Sequence, residues 1–242
     1  MNTWKNNNVL TCFKGSPFLE DADNRKSGLP ADVSPVGGTI FYIDNAADST
    51  YEFFDIDGNV IENVQVGDKP YAYRVIKKGS KDKYYVYHDE LYASSMRWTY
   101  YRGLDYVYES LGTSKDVGSG KTNTEKVMTK DGGAYIAEDS HWYPTIWYQL
   151  QQIRNAKAGG CDDWFVPSAS EVERLREAIM SGSVAGGIIA GSSYEESIFT
   201  SKRLWSSSEY SSQDAWYWGY RNQHWYVSGK SNSIFVFFTR AF

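Results

Sequence analysis

The sequence predicts an α+β fold: a mixed, mostly antiparallel sheet with two helices and long loops. Three observations lead there. Short β-rich runs separated by turn signals fill residues 39–87. Two capped amphipathic segments follow between residues 145 and 182. From Leu204 to Phe242 the chain returns to strands of alternating aromatic and small polar residues.

Residues 1–36 precede this pattern. They hold Asn6, Asn7 and Asn8 in a row, Pro30 and Pro35 near their end, and little apolar periodicity. They read as an N-terminal arm or docking segment ordered by packing on something else. Residues 37–242 read as one domain, a length that a single core can serve.

Within that domain, Thr39 to Ile43 is a short buried strand. Tyr51 to Phe54 and Val60 to Val64 flank Asp57-Gly58, a hairpin signal. Tyr71 to Ile76 and Tyr84 to Tyr87 read as two more strands around Lys78-Gly79-Ser80. Ser110 to Gly133 is rich in Gly, Ser, Thr and Lys and reads as a long loop. Thr145 to Ala158 sets Ile146, Leu150 and Ile153 on one helical face, with Gly159-Gly160 as its stop. Ser168 and Glu171 form a capping box ahead of the stripe Val172, Leu175, Ile179, and Ser181-Gly182 ends that helix. Glu171 and Glu173 add negative charge where the helix dipole favours it. Both helices are expected behind the sheet.

Composition narrows the function classes. The net charge is −5 with scattered Lys and Arg, so a nucleic-acid partner is not expected. The longest apolar-leaning stretch, Val184 to Ala190, is short and broken by glycines, so no membrane insertion is expected. MNTWKNNNVL lacks the apolar core of a secretory signal. The two cysteines, Cys12 and Cys161, read as unpaired thiols, with a single bridge between arm and body left open.

Several motifs resemble catalytic or metal sites without completing them. Gly118-Ser119-Gly120-Lys121-Thr122 ends like a phosphate-binding loop, but Lys115 stands where that pattern needs glycine, and the following residues read as loop. Asp55 to Asn59 resembles part of a calcium loop and is better explained as a hairpin turn. His88, His141 and His224 are far apart, without helical metal spacing. Ser206, Ser207 and Ser208 have no glycine elbow, and Glu195-Glu196 reads as solvated charge. No enzyme signature emerges, and no cofactor or metal is expected.

The 20 Tyr, 11 Phe and 9 Trp exceed what one core of this size can use, so many rings must reach the surface. The last forty or so residues are dense in Trp, Tyr, Ser and Asn. Rigid rings among small hydrogen-bonding residues make adaptable recognition surfaces. Trp216, Trp218 and Tyr220 alternate with Tyr217, Gly219 and Arg221, so the two sets face opposite ways. The tryptophan set is expected to face inward. The other set points outward and continues through His224, Tyr226 and Ser228 past a turn near Asn222.

Gly37-Gly38-Thr39-Ile40-Phe41-Tyr42, the run Gly159-Gly160-Cys161-Asp162-Asp163-Trp164-Phe165-Val166-Pro167-Ser168, and Leu204-Trp205-Ser206-Ser207-Ser208-Glu209 with Ala215-Trp216 and the closing Thr239-Arg240-Ala241-Phe242 form a combined pattern. It resembles bacterial and phage domains of the C-type lectin-like fold, in the branch related to formylglycine-generating enzymes. Within that branch it looks most like the variable proteins of diversity-generating retroelements. The resemblance spans roughly residues 37–242, and the loop at Gly118 to Thr124 also suits it.

In that family a reverse transcriptase randomises adenines near the C-terminal end of the gene, so asparagine codons become Tyr, Ser, Gly, His, Arg, Asp, Phe or Ile. The resemblance therefore implies a variable region at about residues 204–242. Its ligand-binding positions are Tyr217, Gly219, Arg221, Asn222, His224, Tyr226, Ser228, Ser231, Asn232, Ser233 and Ile234. Tryptophan is not reachable by that route, so Trp205, Trp216, Trp218 and Trp225 are the implied scaffold. The calcium-binding motifs of animal lectins and the cysteine pair of formylglycine-generating enzymes are absent, and Phe235 to Phe238 stand where relatives often carry basic residues or proline.

The expectation is a non-catalytic receptor-binding or adhesion protein on a virion or cell surface. Its ligand would be a protein or glycan on a target surface, and the oligomeric state is open. An enzyme on the same scaffold, or a structural particle protein, are the alternatives.

Overall fold

A computed structural model describes residues 29–44, 50–77, 84–102, 105–137, 144–183, 202–219 and 223–242. Cys12, Lys78-Gly79-Ser80, His141, Val184 to Ala190, Glu195-Glu196, Tyr220, Arg221 and Asn222 lie outside the described residues. The protein is a mixed α+β structure with mostly antiparallel sheets and, among the described residues, three α-helices.

The strands are β1 Ser34–Pro35, β2 Thr39–Ile43, β3 Thr50–Phe54, β4 Val60–Ile61, β5 Ala72–Lys77, β6 Tyr84–Met96, β7 Tyr101–Arg102, β8 Asp105–Tyr106, β9 Leu204–Glu209, β10 Asp214–Gly219, β11 His224–Gly229 and β12 Ile234–Ala241. The helices are α1 Gly120–Thr129, α2 Ile146–Asn155 and α3 Ala169–Met180. The main sheet runs β11-β10-β9-β12-β6-β2, and a smaller one runs β1-β5-β3-β4. Among these named strands every pairing is antiparallel except β9 with β12.

The β3–β4 hairpin forms around Asp57-Gly58 as the turn chemistry predicts, pairing Phe54 with Val60. The Asp55 carboxylate accepts from the backbone N–H groups of Asp57 and Asn59 and from Asn59 Nδ2. These bonds hold its pKa below the usual carboxylate range. The loop is an Asx turn that uses its own carboxylate, so the turn reading holds here.

β5 and β6 are the two strands expected on either side of Lys78-Gly79-Ser80, and they belong to different sheets. β5 joins β3 and β1, whereas β6 lies between β2 and β12 in the main sheet. Tyr85, Val86 and Tyr87 are buried in succession, so β6 needs cover on both faces and takes a central position.

Helix α1 is a correction, since residues 110–133 read as loop. Its inward side carries Asn123 and Thr124 beside Val127 and Met128, all buried. Asn123 Nδ2 donates to Ser114 O at 2.6 Å and to Ser207 Oγ at 3.2 Å. Thr124 Oγ1 accepts from Val166 N at 3.0 Å. A helix whose buried face is half polar has no apolar stripe for periodicity to detect.

The two expected helices hold. Thr145 Oγ1 accepts from Tyr148 N to cap α2, and Ile146, Leu150 and Ile153 are fully buried. The helix ends at Asn155, short of the expected Gly159-Gly160, because Lys157 already turns left-handed with φ 48°. Helix α3 carries the complete Ser168–Glu171 capping box, with Val172, Leu175 and Ile179 buried.

The helices do not share one side of the sheet, a second correction. Val127, Leu150 and Ile153 pack from α1 and α2 with Trp205, Ala215, Ile234, Val236 and Phe238 on one face. Val172, Leu175 and Ile179 of α3 pack with Leu204, Trp218 and Phe237 on the other. Strand alternation sends successive residues of β9, β10 and β12 to opposite faces, and both sets are apolar, so both faces need a lid. A third cluster of Val36, Ile40, Phe53, Tyr73, Val86 and Phe242 joins the small sheet to β2 and β6.

The motifs behind the resemblance interlock. Phe165 and Thr239 exchange backbone hydrogen bonds at 2.7 and 2.9 Å. Arg240 forks onto the Asp163 carboxylate and also donates to the carbonyls of Pro35 and Val36. Residues 34–36, read as the end of the arm, are thus tied to the last strand, and Val36 is fully buried. Cys161 is buried, and burial pushes its thiol up to about 12. His88 is half-buried with its ring edge-on to Trp164. Among the described residues no helix is long and apolar enough to cross a membrane, and no cluster of His, Cys, Asp or Glu could hold a metal.

The Gly118–Thr122 loop does open a helix, as a phosphate loop would. The group in its cradle is the protein's own Glu171 carboxyl. Oε1 accepts from Gly118 N at 2.9 Å and Gly120 N at 3.4 Å, and Oε2 from Ser168 N at 2.8 Å. A Cβ on Gly120 would lie 2.1 Å from Glu171 Oε2, so only glycine lets this carboxyl approach.

Burial pushes Glu171 up to about 7, against the pull of those donors. Its folded pKa stands above the unfolded 4.5, so its stabilisation is complete below 4.5 and is lost as pH rises through about 7. We expect the Tm to fall between pH 5 and pH 8, with up to about 3 kcal/mol at stake. Glu171→Gln should flatten that slope in thermal melts. An unchanged slope in the variant would assign the effect elsewhere.

Candidate ligand-binding surface

The base of the surface is the run Leu204 to Glu209. Trp205 is fully buried and donates from Nε1 to Met96 O at 3.0 Å. Ser206 Oγ donates to Trp216 O at 2.9 Å, and Ser208 Oγ donates to Ser114 O at 2.8 Å while accepting from Ala169 N. Ser207 Oγ accepts from Asn123 Nδ2, and Ser207 N donates to Pro167 O. All three serines are inaccessible, so their hydroxyls serve as cross-braces between loops and not as nucleophiles.

Glu209 completes the frame. Its Oε2 accepts from Leu111 N at 2.9 Å and Thr113 N at 3.4 Å, while Oε1 accepts from the Lys230 ammonium. The Lys230 side chain is wholly buried, donates to Glu109 O at 2.9 Å and lies 4.5 Å from the centre of the Trp98 ring. Burial holds its pKa below the usual lysine value, and Glu209 opposes that shift. Lys230 O accepts from Trp98 N and Thr99 N, so both ends of this residue are fixed just before the β11–β12 turn.

On this frame stands the β10–β11 hairpin, which pairs Trp216 with Val227, Tyr217 with Tyr226, Trp218 with Trp225 and Gly219 with His224. Paired residues share a face. The sequence expectation of tryptophans inward and tyrosines outward is only half of what is found. Because helices cover both faces, distance from the sheet edge decides exposure more than side does.

Among the implied scaffold residues, Trp205 and Trp218 are buried, whereas Trp216 and Trp225 are only half-buried. Trp216 meets Tyr210 edge-to-face at 5.2 Å and has the Lys115 ammonium 4.7 Å from its ring centre. Trp225 meets Trp218 edge-to-face at 5.6 Å.

The implied contact residues also divide. His224 and Asn232 are exposed; Tyr226, Ser228, Ser231 and Ser233 are half-buried at the surface. His224 stands edge-on to Tyr226 at 5.7 Å, and Asn232 Nδ2 donates to Ser228 Oγ at 2.8 Å. Tyr217 stacks on Tyr226 at 5.7 Å but is half-buried against Trp205, so it links surface to core. Gly219 is buried, and a Cβ there would fall 2.6 Å from the Tyr226 ring, so a larger residue would displace that ring.

Ile234 is a correction. It is 3% exposed and packs with Val236 and Phe238, because it opens a central strand on the α1–α2 side. Phe237 is buried too, and Phe235 is half-buried under the Lys202 side chain. Arg221 and Asn222 lie outside the described residues.

Sequence reasoning missed two parts of this surface. Tyr210 is 60% exposed beside Trp216. Tyr108, also exposed, donates its hydroxyl to Ser231 Oγ at 3.1 Å, bringing the segment after β8 to the β11–β12 turn. Tyr210 follows the Trp-Ser-Ser-Ser-Glu run and was within reach of a composition argument. Tyr108 lies over a hundred residues upstream, and no local signal connects it.

The surface offers flat aromatic rings, one imidazole and small hydrogen-bonding groups on a rigid base. That set suits stacking and polar contacts with a large ligand. No protein-family model matches the chain, and no curated protein matches it.

Proposed function

We propose that the protein is a non-catalytic ligand-binding protein of the C-type lectin-like fold, similar to the variable proteins of diversity-generating retroelements and displayed on a phage particle or cell surface. The β10–β11 hairpin and the β11–β12 turn present its binding surface. The protein needs no cofactor for this role.

The observation that carries this reading is a division of labour within residues 204–233. Trp205, Ser206, Ser207, Ser208, Glu209 and Lys230 are buried or nearly so and make the bonds that fix the backbone. His224 and Asn232 are exposed on that fixed backbone, and Tyr226, Ser228 and Ser231 flank them. A preorganised base spares the binding reaction the cost of ordering a loop. It also lets the contact residues change without unfolding the chain.

The test is a displayed library randomised at residues 224, 228, 231 and 232 and probed with purified envelope proteins and cell-wall glycans. Most members should keep a Tm within a few degrees of the parent, because surface changes away from packing sites cost within about 0.5 kcal/mol each. Binders to unrelated probes should emerge. Tyr217→Ser, outside the library, should cost about 1–2 kcal/mol through its lost contact with Trp205. A library that mostly fails to fold would remove this reading. In the genome, the same reading expects a neighbouring reverse transcriptase and a near-copy of the segment for residues 204–242 that differs at adenines.

A further inference from the structure

The main sheet ends in two edges, and the chain treats them differently. At β2, Ile40 N donates to Asp68 O and Gly67 N donates to Ile40 O, so a loop covers that edge. In the small sheet, the edge strands β1 and β4 have two residues each, and β1 contains Pro35. Short strands, proline and cover are the usual defences against unwanted pairing. Among the described residues nothing pairs with the outer side of the main sheet's other edge strand, β11, which is six residues long, His-Trp-Tyr-Val-Ser-Gly, with no proline and no Lys, Arg, Asp or Glu.

The phase of the ladder shows which groups this edge offers. Lys230 N donates to Gln213 O, continuing the β10–β11 register by one pair. Alternate pairs of an antiparallel ladder exchange hydrogen bonds. The backbone groups of Ser228, Tyr226 and His224 therefore point to β10, and those of Trp225 and Val227 point away from the sheet. Val227 is 40% exposed, and Trp225 is half-buried.

We propose that the β11 edge is a strand-addition site that binds an extended segment of a protein ligand carrying apolar and acidic residues together on one face of the strand. This rests on the binding role proposed above and names the partner class. Trp225 and Val227 share their face with Trp216 and Trp218, and Tyr210 adjoins them, so apolar residues of an added strand would continue an aromatic surface. The same face carries the Lys115 ammonium over Trp216 and the Arg176 guanidinium 4.8 Å from the Trp218 ring centre, which favours acidic neighbours. Main-chain bonds supply affinity and flanking side chains supply specificity in this mode. The backbone of Trp225 and Val227 is untouched by substitutions at His224, Tyr226 or Ser228. A binder that changes its contact residues thereby keeps a constant share of its affinity.

The probe is a fluorescein-labelled peptide of about eight residues in which valine and glutamate take turns at every second position, with threonine between them, so that both types share one strand face. Its counterpart is N-methylated at alternate amides. Val227→Pro removes an outward N–H and no bond to β10, so it should fold with an unchanged Tm. By fluorescence anisotropy, both the N-methylated peptide and the Val227→Pro protein should bind at least about tenfold more weakly than the parent pair. No binding of the parent peptide, or equal binding of the methylated one, overturns the proposal, and the second comparison stands even if Val227→Pro fails to fold. A sedimenting dimer that Val227→Pro abolishes and the peptide does not compete would assign the edge to a second copy, also overturning it. Library binders that retain affinity in the Val227→Pro background would leave the binding role intact and remove the edge alone.

Discussion

Glu209→Ala is expected to destabilise the protein by about 3–5 kcal/mol, the range for breaking a buried ion pair by deleting one partner. The substitution leaves the Lys230 ammonium inside with Glu109 O and the Trp98 ring as its remaining contacts. It also strips Leu111 N and Thr113 N of their carboxylate acceptor. The double variant Glu209→Gln with Lys230→Met should recover most of the loss, because Gln keeps an acceptor for those amides and Met fills the lysine channel without charge. Urea melts of the parent, the single and the double variant measure both effects. A single-variant loss under about 1 kcal/mol would mean that the pair does not support the β11–β12 turn.

Trp205→Ala is expected to cost about 3–5 kcal/mol through transfer and cavity terms. The ring is fully buried, donates to Met96 O and supports Tyr217 edge-on at 6.1 Å. Trp205→Phe keeps most of the apolar volume and loses the hydrogen bond, leaving Met96 O without that donor, and should cost about 1–3 kcal/mol. His224→Ala, two strands away and exposed, should stay within about 0.5 kcal/mol. The contrast between Trp205 and His224 is what matters for the binding role. Equal losses at the two positions would show that base and contact layer are not separate, and the surface could not vary freely.

The two aromatic sets of β10 show why alternation alone misjudged this surface. Period two correctly separates Trp216 and Trp218 from Tyr217 and Gly219, because adjacent side chains on a strand point oppositely. It says nothing about what covers each side. Trp218 lies under α3, Trp216 lies beyond that cover, and Tyr217 reaches the α1–α2 core through Trp205. Ile234 fails for the same reason. Its type fits an altered asparagine codon, but its place at the start of a central strand buries it. The glycine at 219 likewise reads as a variable small residue until the Tyr226 ring is found lying across it.

What the sequence determined by itself was the set of local elements whose signals are local: the Asp55–Asn59 turn, the Thr145 and Ser168 helix starts, the apolar stripes of α2 and α3 and the short aromatic strands. Each depends on residues a few positions apart, so propensity, capping and periodicity can specify it. Tertiary structure alone decided the rest. It made a helix of residues 120–129, whose buried Asn123 and Thr124 find partners only in distant loops. It turned the Gly118–Gly120 loop into the seat of Glu171, paired Lys230 with Glu209 and, among the described residues, left β11 as the long uncovered edge. The physical reason is that burial and hydrogen-bond satisfaction belong to neighbours in space, and those neighbours lie tens to more than a hundred residues apart in the chain.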